Sequence, residues 1–236
     1  MPLRVLLDLL YPRACAHCGR PDPDAGRYLC WDCMARVDFI QPPFCELCGD
    51  PVGGRVGHAY RCALCSDRAV YFDAARSVAR YDGVAGALIR DLKYHGAFWL
   101  AADLADLLAA GVRSHFETGA FDAIAAVPLH PAKQRVRGYN QSALLAAALG
   151  RRLGLPPARR CLCRLRPDRS QTHLTVPERA ANVAHAFGTR WNRWLEGRRI
   201  LLVDDVMTTG ATVNDCARAL KEGGAAAVRV ITLARG

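Results

Sequence analysis

From residue 71 onward, apolar positions alternate between short continuous runs and stretches of helical period. Residues 74–81 read as a strand, 84–94 and 100–116 as helices, and 123–127 as a buried strand. The pattern then predicts a helix over 139–153, a strand over 160–165 and a short helix over 178–187. Ile200, Leu201, Leu202 and Val203 make a run suited to a buried parallel strand, and Val213, Ala217 and Leu220 recur behind it at helical spacing, over 212–222. A last strand covers 228–233. Strands taking turns with helices predict an α/β fold with a mainly parallel sheet and a site at the strands' carboxyl ends.

Between the apolar run and the last helix stands Asp204-Asp205-Val206-Met207-Thr208-Thr209-Gly210-Ala211-Thr212. A turn that opens a helix offers free backbone N–H groups and the positive end of the helix dipole, which together hold a phosphate. The hydroxyls of Thr208, Thr209 and Thr212 add donors, and Gly210 permits close backbone approach. Asp204 and Asp205 are placed to face sugar hydroxyls. No Gly-Lys-Ser/Thr follows the turn, so it is not a P-loop, and it is not a dinucleotide fingerprint. A plain strand-turn-helix capped by the acids is the bland alternative, but six specified positions in one segment favour a sugar phosphate.

Residues 1–70 are organised by cysteine. The pairs Cys15/Cys18, Cys30/Cys33, Cys45/Cys48 and Cys62/Cys65 are separated by 11, 11 and 13 residues, enough for a short hairpin to bring each against the next. Eight thiolates make two tetrahedral sites, so two structural zinc ions are expected. Sequential pairing of the first four and the last four cysteines closes the shorter loops and is preferred; a cross-braced arrangement is the alternative. Disulfides would need an oxidising compartment, yet Met1-Pro2-Leu3-Arg4-Val5-Leu6-Leu7 lacks a sufficient apolar run and a cleavage site, which leaves a cytoplasmic location as the expectation. Cys161, Cys163 and Cys216 read as small core residues. No apolar stretch approaches the roughly 20 residues of a membrane span.

Charge adds a partner. The formal net charge is +10, while residues 1–70 hold eight Arg against eight acids, so the excess lies beyond them. From Lys133 to Arg199, fifteen Lys or Arg face only Asp168, Glu178 and Glu196. One small anion cannot contact so many cations, and single-stranded DNA is the expected further partner. Arg190, Arg193, Arg198 and Arg199 would extend that belt, with Trp191 and Trp194 as stacking surfaces. A solvated Arg-rich surface is the plain alternative.

Two further segments suit a phosphate-rich ligand. Residues 127–141 follow a buried strand and precede a helix, so Lys133, Arg135 and Arg137 arrive in a loop where an anion would sit. Residues 169–183, with Arg179 and Asn182, form a polar stretch long enough to act as a lid. Lys93 and His130 fit either a structural role or a place facing the site.

The Asp-Asp segment resembles the phosphoribosyl pyrophosphate (PRPP) motif of type I phosphoribosyltransferases. With the cysteine array, Leu92-Lys93-Tyr94, Arg137-Gly138-Tyr139-Asn140-Gln141 and the Gln171, Leu174, Arg179, Asn182 spacing, in this order, the chain resembles the ComF/GntX family. The resemblance implies a double zinc ribbon over 1–70 and a type I phosphoribosyltransferase-like domain over 71–236. It implies PRPP or a related phosphoribosyl ligand with Mg²⁺, and Asp204 and Asp205 as catalytic candidates on the ribose hydroxyls. Thr208, Thr209, Gly210, Ala211 and Thr212 would hold the 5′-phosphate, and Lys133, Arg135, Arg137 and Arg179 would complete the ligand site. The cellular role it implies is DNA uptake in natural transformation, or use of DNA or gluconate, with competence or recombination proteins as partners. The implied activity is pentosyl transfer from PRPP. The alternative is a single-stranded DNA-binding module without transfer, because only Ala234-Arg235-Gly236 follow Leu233 and no hood for an acceptor base is legible.

Overall fold

In the computed structural model, which describes residues 13–21, 27–54, 56–117, 119–158, 161–165, 185–189 and 192–236, the cysteine-rich part is one local structure made twice. Cys15 and Cys45 each open a tight turn closed by the amide of Gly19 or Gly49, donating to the cysteine carbonyl at 2.8 and 2.9 Å. Both glycines take a positive φ, 72° and 68°, which side-chain-bearing residues adopt only at a cost. The second pair of each group lies on a one-turn helix, Trp31–Met34 (α1) after Cys30 and Ala63–Ser66 (α2) after Cys62.

There follow β1 (Ala74–Arg80), α3 (Gly83–Tyr94), a 3₁₀ turn (Phe98–Leu100), α4 (Ala101–His115), β2 (Ala123–Ala126), α5 (Pro131–Arg137) and α6 (Gln141–Leu153). The chain continues through β3 (Leu162–Arg164), β4 (Phe187–Thr189), α7 (Asn192–Leu195), β5 (Arg199–Met207), α8 (Ala211–Glu222) and β6 (Ala227–Arg235). The main sheet has the order β1-β6-β5-β2, with every neighbouring pair parallel. A parallel sheet needs cover on both faces. Leu201, Val203, Ile231 and Leu233 pack with α3, α4 and α6, while Ile200, Leu202, Val228 and Val230 pack with α8 and the β3–β4 pair.

The two cysteine groups go to opposite faces of this sheet. Cys15, Cys30 and Cys33 join the cluster of α3 and α4, and Cys45, Cys48, Cys62 and Cys65 join that of α8. The connecting chain runs along the outer edge of β1, where the Ile40 amide donates to Val78 at 3.0 Å and the Arg80 amide to Asp38 at 2.9 Å. An edge strand otherwise open to pairing is thereby covered. Arg235, buried at the end of β6, donates to the Cys48 carbonyl at 2.8 Å and pairs with Asp50 at 3.0 Å.

The predicted strand over 160–165 is observed as β3, which leaves the main sheet to pair antiparallel with β4. Phe187, expected to end a helix, begins β4. Residues 178–184 of that predicted helix and the expected lid, with Arg169, Gln171, Leu174, Arg179 and Asn182, lie outside the described residues, as do Arg190 and Trp191. The expected loop at Lys133, Arg135 and Arg137 is helix α5 instead, with Pro131 in its first turn and Gly138 closing it at φ 83°. Those two residues are the usual start and stop signals. No residue of α5 is buried, so hydrophobic period could not reveal it. None of the described helices is long and apolar enough to cross a membrane.

Gly19 and Gly49 share a backbone conformation but not an environment. A Cβ at Gly19 meets nothing within 4 Å, whereas at Gly49 it would lie 2.7 Å from the Ala75 carbonyl oxygen. Gly19→Ala is expected to lower the unfolding free energy by about 1 kcal/mol. Gly49→Ala should cost about 1–3 kcal/mol more, because overpacking adds to the strain. Urea midpoints at constant zinc content measure both, and equal losses would show that the second group is not docked on β1.

Candidate functional site

The Sγ atoms of Cys15, Cys18, Cys30 and Cys33 lie within 4.8 Å of one another, and so do those of Cys45, Cys48, Cys62 and Cys65. The Cys18–Cys30 and Cys48–Cys62 separations are 3.7 and 3.6 Å, near the tetrahedral edge of about 3.8 Å that Zn–S bonds of about 2.3 Å require. The Cys30 and Cys62 amides point at the Cys15 and Cys45 sulfurs at 3.5 and 3.4 Å, as donors to a thiolate do. Both tetrads fit a structural zinc ion, in sequential pairing. Cys161 and Cys216 are buried apart from them, and Cys163 is half-buried.

At the carboxyl end of β5, Asp204 and Asp205 are both buried. Carboxylates out of water must find partners or give up charge. Asp204 Oδ1 accepts from Ser142 Oγ at 2.7 Å and from the Asp205 amide at 3.0 Å. Lys93 Nζ stands 3.2 Å from Asp205 Oδ1. Asp205 Oδ2 is buried with no hydrogen-bond partner among the described residues. Burial, and after it the charge of Asp205, pushes the Asp204 carboxyl up to about 7.

Lys93 and Ser142 are delivered by two interlocked segments. The Tyr139 hydroxyl donates to the Leu92 carbonyl, and Arg137 donates to the Gln141 side chain while lying over the Tyr94 ring at 5.3 Å. Asn140 caps α6 by accepting from the Ser142 and Ala143 amides at 2.9 and 3.3 Å, and it donates to the Val127 carbonyl at 3.0 Å. Leu92-Lys93-Tyr94 and Arg137 to Gln141 therefore form one scaffold behind the acid pair. Lys93 belongs to the site, and Ser142 joins it without any sequence signal beyond its place after the cap. His130 has the structural role of capping α5, its Nδ1 accepting from the Ala132 amide at 3.2 Å.

The Thr208 to Gly210 turn opens α8, and Gly210 caps the helix at φ 75°. A Cβ there would stand 2.6 Å from Met207 Cε and 3.3 Å from Arg68 Nη2. Thr208 is exposed, and Thr209, Ala211 and Thr212 are half-buried. Arg68, three residues past Cys65, donates to the Thr209 carbonyl at 2.6 Å. Asn214 in the first turn of α8 donates to the Ala69 carbonyl at 2.9 Å and accepts from the Tyr71 amide at 2.8 Å. The turn is thus braced from behind by the second cysteine group, through a residue no spacing rule marks.

Lys133 and Arg137 line, with Lys93, Tyr94 and Tyr139, an open cavity of about 570 Å³. Arg135 is exposed and is not among its walls. Partial loss of hydration along the cavity wall, then the charges of Arg164 and Arg137, lowers the Lys133 pKa, although the side chain as a whole is exposed. Half-buried Arg164 in turn feels the charge of Asp204, so it is a further cation of this region that the sequence did not single out. Two cations of the belt expected nearer Arg199 have partners within the fold. Arg199 forks onto Asp122 at 2.7 and 3.1 Å, and Arg198 covers the half-buried Trp194 ring at 4.4 Å.

Comparison with known proteins follows the same division. Residues 6–69 match the double zinc ribbon domain and residues 141–236 the phosphoribosyl transferase domain. The chain is similar to competence protein F of Haemophilus influenzae, with 31% identity over 94% of this chain and 96% of the relative. It is 32% identical to the DNA utilization protein YhgH of Salmonella typhimurium, over 88% and 96%, and 30% identical to competence protein ComFC of Bacillus subtilis, over 88% and 84%. The main sheet and its helices form a type I phosphoribosyltransferase-like fold.

Freshly purified, reduced protein should carry two zinc ions per chain by elemental analysis; one or none overturns the tetrads as metal sites. Asp204 offers a second test. Its unfolded value is near 3.9, so the folded state holds the proton more tightly and loses stability as pH rises from about 4 to about 7. Asp204→Asn removes that loss. The variant should melt above the wild type at pH 8, with the gap closing toward pH 5, and a gap independent of pH would show that another group titrates.

Proposed function

The chain belongs to the ComF family of double zinc-ribbon proteins with a phosphoribosyltransferase domain, and we propose that it binds PRPP or a related phosphoribosyl ligand with Mg²⁺ and handles single-stranded DNA beside that site. The observation that carries the reading is Asp205 Oδ2, a buried acceptor at the end of β5 without a donor among the described residues. Buried polar atoms are normally satisfied, and ribose hydroxyls are the donors this one lacks. Asp204 and Asp205 would orient the ribose, and the turn of Thr208, Thr209, Gly210, Ala211 and Thr212 would take the 5′-phosphate. Lys133, Arg135 and Arg137, with Arg179, would face the pyrophosphate, whose charge Mg²⁺ offsets when bound. Relatives named for competence and DNA utilization support a role in handling DNA, which would take place in the cytoplasm alongside competence or recombination proteins.

Transfer would proceed by attack of a nitrogen nucleophile on the anomeric carbon as its bond to the pyrophosphate oxygen breaks, with the Asp pair near the developing positive charge. The second reading, DNA binding without transfer, is favoured by the open, cationic cavity at Lys93, Lys133 and Arg137.

PRPP with Mg²⁺ at about 100 times its dissociation constant should stabilise the fold by about 2.7 kcal/mol. For a chain of this size the melting temperature rises by about 5–10 °C. Asp204→Asn and Asp205→Asn should each weaken binding by about 1.5–3 kcal/mol. No shift at millimolar PRPP, or equal shifts in the Asn variants, removes the phosphoribosyl reading and leaves the DNA one.

A further inference from the structure

Four large aromatic side chains, one in the first ribbon and three at the end of α3 and in the 3₁₀ turn behind it, stand in solvent. Trp31 is 59% exposed, Phe98 59%, Trp99 44% and Tyr94 68%. Single exposed apolar residues need no explanation. These are grouped: Phe98 and Trp99 are in edge contact at 5.5 Å, and Trp99 lies 6.3 Å from Tyr28 of the first ribbon. A guanidinium accompanies the rings along the row, with Arg13 over Tyr28 at 5.2 Å, Arg27 over Trp31 at 5.0 Å and Arg137 over Tyr94 at 5.3 Å.

The rings are also held rigidly. Leu100 and Ala97 are buried and anchor the 3₁₀ turn, leaving its Phe98 and Trp99 outward. Trp31 sits between Cys30 and Cys33 of the first tetrad, and the Tyr28 amide donates to Asp103 of α4 at 2.6 Å. Tyr94 borders the same cavity as Lys93, whose Nζ stands 3.2 Å from Asp205 Oδ1.

We propose that single-stranded nucleic acid lies along this strip, its bases stacking on Trp31, Trp99, Phe98 and Tyr94 and its phosphates meeting Arg27, Arg13 and Arg137, with one end at the cavity beside Asp205. The proposal rests on the DNA-handling part of the reading above and moves the contact surface away from the Arg190 to Arg199 belt. Flat rings with adjacent cations are what a flexible polyanion with π-faces requires, and stacking on them tolerates any base sequence. In the belt, by contrast, Arg199 is taken up by Asp122 and the Trp194 ring is half-buried, which leaves less ring face for a base.

Fluorescence anisotropy of a labelled 20-nucleotide oligo-dT, titrated with zinc-loaded full-length protein at two salt concentrations, tests the strip. Phe98→Ala with Trp99→Ala should weaken binding at least about tenfold. Arg27→Ala should shrink the log–log salt slope by about 0.7. An abasic oligomer of the same length should bind wild type and the double variant equally, which a misfolded variant would not reproduce. Zinc content and the PRPP melting shift are measured on the same samples. Equal oligo-dT affinities of wild type and double variant overturn the strip whatever PRPP does. A wild type that binds oligo-dT through these rings but shows no PRPP shift overturns only the phosphoribosyl reading. Light scattering that finds self-association lost in the double variant, with oligo-dT binding intact, assigns the rings to a second copy and also overturns the proposal.

Discussion

Two adjacent carboxylates buried at the end of β5 are the constraint around which the chain beyond the ribbons is arranged. Neighbouring negative charges taken out of water repel each other and lose hydration, so each needs help from another element. α6 contributes Ser142 to Asp204 and α3 contributes Lys93 to Asp205. The Tyr139 bond to Leu92 and the Asn140 cap of α6 tie the two helices together behind the pair, on top of their apolar packing against the sheet. One carboxylate oxygen still has no partner among the described residues. A structure that served stability alone would have replaced the pair by apolar residues.

The ribbons are built into this arrangement. Each tetrad closes locally, yet the chain between them seals the β1 edge, Arg235 of the last strand grips Cys48 and Asp50, and Arg68 braces the turn before α8. Metal-bound knuckles suit the task because a tetrathiolate site makes a short segment rigid without a large core of its own. Loss of zinc from the second tetrad would therefore reach the Thr209 turn through three residues of chain and one hydrogen bond. Asp215 and Arg218 serve the same helix from its other side. Buried together at 2.8 Å, they hold the His185 and Phe187 amides and the Phe187 carbonyl, and so fix the start of β4.

What the amino-acid sequence determined by itself is local. β5 and β6 are legible because a doubly covered strand is a continuous apolar run, and the helices α3, α4, α6 and α8 because one face repeats every 3.6 residues. The tetrads are legible because both halves of a knuckle lie three residues apart. Three-residue strands such as β3 and β4 are too short to show alternation, and α5 buries nothing, so its helix is signalled only by Pro131 and Gly138. The tertiary structure decided the rest. Ser142 meets Asp204 across 62 positions and Arg68 meets Thr209 across 141, separations at which no spacing rule operates. The same holds for the aromatic row, where Tyr28 and Trp99 become neighbours only once the first ribbon docks against α4. Short-range patterns report what a residue does to its own element, whereas these contacts depend on chain closure, which is set by how the elements pack against one another.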